Sequence, residues 1–117
     1  MKNFNSQRNL FALLCWFLAI PLGWSQIQTP LDIALRHIEQ NHKAWGLTDR
    51  DVADMGVNYQ YMSKHNGVSH IYFIQRHGGL EVYNAIMNVN ILPDGKVLSV
   101  GKRFHPDLAS RVNTTQP

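Results

Sequence analysis

The chain has 117 residues, with eleven lysines and arginines against eight aspartates and glutamates and a formal charge of +3. That length holds one ordinary domain. Lys2 and Arg8 account for two of the bases, so from residue 26 onward nine bases face eight acids, a net of +1, and no basic run interleaved with aromatics remains to suit a nucleic acid.

Lys2 and Arg8 precede an apolar run over residues 10–22, and the small residues Gly23 and Ser25 stand three and one places before a cut ahead of Gln26. This is the layout of a secretory signal peptide over residues 1–25. The run is about a dozen residues against the roughly 20 of a bilayer span. The expected destination is extracellular, or periplasmic in a bacterium, with no membrane attachment after cleavage. Cys15 is the single cysteine and lies inside the run, so the exported part carries no thiol and no disulfide.

Thr29 before Pro30 opens the first element, because threonine caps free amides and proline suits the first helical turn. Leu31, Ala34, Leu35, Ile38 and His42 recur at spacings of three and four, predicting an amphipathic helix over residues 30–44 that Gly46 ends. "TDRDVADM" predicts a short second helix with Thr48 and Asp51 forming its capping box. After Gly56 the period changes to two, with Val57, Tyr59 and Tyr61 on one face. "KHNG" and "HGG" supply turns around "VSHIYFIQR", and "PDG" turns the chain into "KVLSVG". In residues 80–92, Tyr83, Ala85, Met87, Val89 and Ile91 share one face and Asn84, Asn88 and Asn90 the other, so one face is dry and the other wet. The expected architecture is α+β: an amino-terminal helix over residues 26–46, packed on a four-stranded antiparallel meander within residues 47–104. Residues 105–117 read as a polar tail or linker. Its "NTTQP" echoes the helix-opening "QIQTP" and hints at a following module.

The histidines invite a metal reading, which the spacing does not support. In "HIEQNH", His37 and His42 are five apart, about 140° around a helix, and the glutamate is second after the first histidine, so the zinc-protease arrangement fails. A solvated helix face with His42 near the negative end of the dipole is the plainer reading. His65, His70, His77 and His105 have no carboxylate at a recurring spacing. No metal or other cofactor is expected on this chain, and Ser63, Ser69 and Ser99 lack a nucleophile's elbow. His70 falls on one face of its strand with Val68, Tyr72 and Ile74, while Gln75 continues the face of Ile71 and Phe73. Each polar group either bonds within the sheet and its loops or belongs to a protein-binding face.

The residues Gly67, His70, Tyr72, Gln75, Arg76, Gly79, Val82, Tyr83, Asn84, Ala85, Asp94, Gly95, Lys96 and Val97, in that order, closely resemble the propeptide domain of fungalysin- and thermolysin-type metallopeptidases. The resemblance spans residues 47–104 and implies a cystatin-like layering of helix on sheet. It also implies a secreted zymogen prosegment that assists folding of a downstream zinc protease domain and blocks it until cleaved away. The partner would be that catalytic domain, in cis or in trans, and the zinc would sit there, where the His-Glu-x-x-His absent from this chain belongs. His70, Tyr72, Gln75, Arg76, Val82, Tyr83 and Asn84 are the expected contact residues, with the Asn84, Asn88 and Asn90 face as a second candidate. The competing reading is a free-standing secreted binding or trans-inhibitor module. A small histidine metalloenzyme ranks behind both.

Overall fold

The computed structural model describes residues 27–113. The expected leader, residues 1–25, lies outside them. The elements are α1 (Pro30–Asn41), α2 (Asp49–Ala53), β1 (Gly56–Met62), β2 (Ser69–His77), β3 (Leu80–Ile91), β4 (Val97–Lys102) and α3 (Leu108–Arg111).

α1 starts where its local chemistry starts it. The Thr29 hydroxyl accepts from the Asp32 amide, the Asp32 carboxylate accepts from the Thr29 amide, and Pro30 fills the first turn. It stops at Asn41, three residues short of expectation, and the chain continues in turns to Gly46, whose φ of 81° suits only glycine comfortably. The Leu47 amide bonds back to the His42 carbonyl at 2.9 Å, which reverses the chain into α2. There Thr48 and Asp51 repeat the capping box.

The strands form one antiparallel sheet in the order β1-β2-β3-β4. α1 lies across one face. Its Ala34 and Ile38 meet Ile71 and Phe73 of β2 and Ala85, Met87, Val89 and Ile91 of β3, with Leu47 and Phe104 closing the ends. Fully burying an isoleucine or phenylalanine contributes about 1.5–3 kcal/mol, so this layer holds the domain together. It is the α+β arrangement of helix and four-stranded meander that the periodicities predict.

Two irregularities depart from strict alternation. Val57 pairs with Phe73 whereas Tyr59 pairs with Tyr72, so Asn58 is an inserted residue and Val57 leaves the row of Tyr59 and Tyr61. Between β2 and β3, Ile74 pairs with Ile86 and Arg76 with Glu81, which sets residues 82–85 against Gln75 alone. Asn84 there has φ 62°, and Tyr83, expected on the buried face, is 90% exposed.

Candidate binding surface

The sheet has one face covered by α1 and one open among the described residues. The open face is built in cross-strand rows. One row runs Tyr59, Tyr72, Asn88 and Gly101, and the next runs Tyr61, His70, Asn90 and Ser99. Tyr59 stacks on Tyr72 with centroids 4.3 Å apart, and Tyr61 stacks on His70 at 4.7 Å. Rings stacked on one another offer edges and hydroxyls to solvent more than flat faces. A groove along this face is lined by Asn58, Tyr72, Ile86, Asn88 and Arg103.

His70 sits in a bonded chain. Asn90 Nδ2 donates to Ser99 Oγ at 2.9 Å, which turns Asn90 Oδ1 toward His70 Nδ1 at 2.7 Å, and Ser63 Oγ meets His70 Nε2 at 2.9 Å. A neutral ring that donates from Nδ1 and accepts at Nε2 satisfies all four groups. The order serine, histidine, asparagine resembles an acyl-transfer relay, with a neutral asparagine where a serine relay carries a carboxylate. The nearby amides of Ser63, Gly67 and Val68 are, however, already given to Val68 O, Ser63 O and Asn66 Oδ1. The bonded chain ties the turn after β1 to β2, β3 and β4 across the open face.

The other polar concentration lies at the β2–β3 hairpin end, on the α1 side of the sheet. Gln75 is completely buried. Its Nε2 donates to the His105 carbonyl at 3.0 Å and its Oε1 accepts from the His105 amide at 2.8 Å. Asp51, 3% exposed, completes the hold: Oδ2 accepts from the Asp107 amide at 2.8 Å and Oδ1 from the Leu108 amide at 3.0 Å. Burial opposes the charged form of Asp51, but amide donors from Thr48, Leu108 and Asp107 outweigh it and hold the carboxyl below its ordinary pKa. Residues 105–111 are thus a strap fastened to the domain by two buried side chains. The expected polar tail or linker over residues 105–117 is therefore tied down at its start.

His42 is likewise corrected. It is 6% exposed, with Nδ1 against the carbonyls of Ile38 and Glu39, each at 3.0 Å, and Nε2 2.8 Å from Asp49 Oδ1. Both ring nitrogens face acceptors, so the imidazolium is the form that satisfies them. The Asp49 carboxylate accordingly raises the His42 pKa, and His42 lowers that of Asp49.

Of the expected contact residues, His70 and Tyr72 stand together on the open face. Arg76, Val82, Tyr83 and Asn84 stand apart at the hairpin end. Gln75 touches the strap and has no surface to offer a partner, because its whole amide lies inside. Asn84 does not share the row of Asn88 and Asn90. Sequence reasoning missed Asp51 as an anchor, although an aspartate at the third position of a capping box in a five-residue helix could have flagged a carboxylate with spare acceptor capacity. Among the described residues no three His, Cys, Asp or Glu side chains gather in a group able to hold a metal ion.

A family model described as Fungalysin/Thermolysin Propeptide Motif matches residues 54–104, which span all four strands and Phe104. Residues 54–104 carry that propeptide motif. Extracellular metalloproteinase 5 of Trichophyton tonsurans is 41% identical over 83 residues, covering 71% of this chain and 12% of the relative. A probable extracellular metalloproteinase 5 of Trichophyton verrucosum is 44% identical over 54 residues, 43% of this chain and 8% of the relative. Extracellular metalloproteinase 1 of Arthroderma gypseum is 43% identical over 54 residues. The chain therefore spans 8–12% of the length of the relatives named here. No helix among the described residues is long and apolar enough to cross a membrane.

Proposed function

We propose that this chain is the propeptide module of a secreted zinc metalloproteinase precursor. It helps the protease domain to fold and holds it inactive until the connection is cut, and it performs no catalysis itself. The propeptide-motif match over the whole sheet carries this reading, and the extracellular metalloproteinases among its relatives support it. In cis, a tethered domain has an effective concentration in the millimolar range for a short flexible linker, so modest contacts suffice to keep it seated. Cutting the tether removes that advantage. The helix laid on one sheet face supports a cystatin-like layering, and the metal belongs to the protease domain. To test this, residues 26–117 are added to an unfolded fungalysin-type protease domain, and recovered activity and inhibition of the folded enzyme are measured. Neither rescue nor inhibition would remove both roles in trans.

One observation favours a free-standing trans inhibitor as the second reading. The strap fastens back onto the domain as far as Leu108, which suits a module that folds by itself. Inhibition without rescue in the same assay supports that version.

A further inference from the structure

We infer that the projecting end of the β2–β3 hairpin, residues 76–84, is the docking element of this module, and that it seats in an apolar concavity of its partner metalloproteinase domain. The inference rests on the propeptide reading above. It starts from the unequal strands. β1 pairs with β2 no further than Gly56 opposite Ile74, and β4 pairs with β3 no further than Lys102 opposite Met87. Past that line the hairpin has no strand on either side. A convex two-stranded finger fits a concave partner.

The finger carries apolar groups where solvent would be expected to select polar ones. Leu80 is 75% exposed and Tyr83 is 90% exposed. Arg76 and Glu81 face each other across the finger at 3.8 Å, so its two formal charges offset one another. Asn84, at φ 62° within the bulge, is a non-glycine residue in the left-handed region. Such conformations persist where surrounding structure imposes them and concentrate at ligand clamps. Here the bulge is what turns Tyr83 outward.

The route of the chain selects the occupant. Gln75 grips His105, and Asp51 grips Asp107 and Leu108, so the polypeptide leaves the domain at the foot of this hairpin. The last strand residue before the tip, His77, is two residues beyond Gln75, about 7 Å at the rise of an antiparallel strand. Whatever follows the strap begins beside the finger, whereas the open sheet face lies on the side away from the strap. On that face His70 and Asn90 are bonded to one another and to Ser63 and Ser99, so these two polar groups are already occupied.

The test places the photo-reactive residue p-benzoylphenylalanine at position 83, and separately at position 59 on the open face, in the leader-free chain. Each version is mixed with a fungalysin-type metalloproteinase domain and irradiated. The expected result is a cross-link from position 83 to an apolar pocket of the protease domain. In parallel, the double variant Leu80→Ala, Tyr83→Ala should bind the domain at least tenfold more weakly with an unchanged melting temperature, since both side chains are exposed. Cross-links from position 59 alone would overturn the hairpin assignment and leave the propeptide reading standing. A cross-link from position 83 to a second copy of the chain would overturn it in favour of self-association. No cross-link from either position would count against both readings.

Discussion

Replacing Gln75 by leucine isolates the amide that fastens the strap, because leucine keeps an apolar body of similar size at a fully buried position. Two short bonds to His105 disappear, at 3.0 and 2.8 Å, and a long one of 3.4 Å to the Asp51 carbonyl goes with them. The two short bonds are worth about 1 kcal/mol each, and stranding the partly buried His105 N–H beside a hydrocarbon adds about 1 more, roughly 3 kcal/mol in all. For a domain of this size that lowers the melting temperature by roughly 12–24 °C. Thermal unfolding of Gln75→Leu measures the global loss, and hydrogen exchange at the His105, Asp107 and Leu108 amides shows whether the strap opens first. Gln75→Glu sharpens the comparison. Its ionised carboxylate still accepts from the His105 amide but has no donor for the His105 carbonyl, and burial raises its pKa. The glutamate variant should therefore recover stability as pH falls through that raised value. A fall of less than about 3 °C for Gln75→Leu with unchanged strap protection would refute the clamp, since it would lie below the effect of even one lost bond.

Charge, close packing and helix capping each give a further expected outcome. His42 titrates above its ordinary value and Asp49 and Asp51 below theirs. The His42 contribution is complete below about pH 6.5 and is lost as pH rises through its folded pKa, while the aspartate contributions are present above about pH 4 and fade as pH falls through theirs. Melting temperature should peak on the acid side of neutrality, and Asp49→Asn should flatten the alkaline limb; a native profile level from pH 5 to 8.5 would contradict this. Gly101→Ala would bring a Cβ against Asn88 Oδ1, the far end of a side chain that can swing aside, and should cost no more than about 0.5 kcal/mol in chemical denaturation. Thr29→Ala removes the cap of α1 and should cost about 1 kcal/mol in chemical denaturation, without touching the sheet.

The helix and the meander were legible because each is written in local periodicity and capping chemistry. Thr29, Pro30 and Asp32 begin α1 by themselves, and Ala85 through Ile91 alternate as a half-buried strand should. What periodicity could not supply is pairing. Asn58 is an insertion only relative to β2, and Tyr83 is turned out only because residues 82–85 face a single partner, so neither bulge leaves a mark on its own strand. Gln75 was recognisable as a polar group on a dry face, yet its partner His105 is thirty residues away. His42 was misread because its charge partner, Asp49, comes into place only after the reversal at Gly46. The hairpin residues were singled out together from family resemblance, while the division between an open tyrosine face and a separate projecting finger emerged only in three dimensions.

The strap also sets an order in time. Asp51 is made early, and the amides it holds belong to residues 56 and 57 positions later. At a synthesis rate of about 5–20 residues per second, the carboxylate waits roughly 3–11 s for them. During that interval the sheet can assemble, but its last two anchors stay unmatched. The module therefore closes in two stages, the sheet first and the strap over residues 105–111 last, so the hold of Gln75 and Asp51 reports that the whole domain has been made.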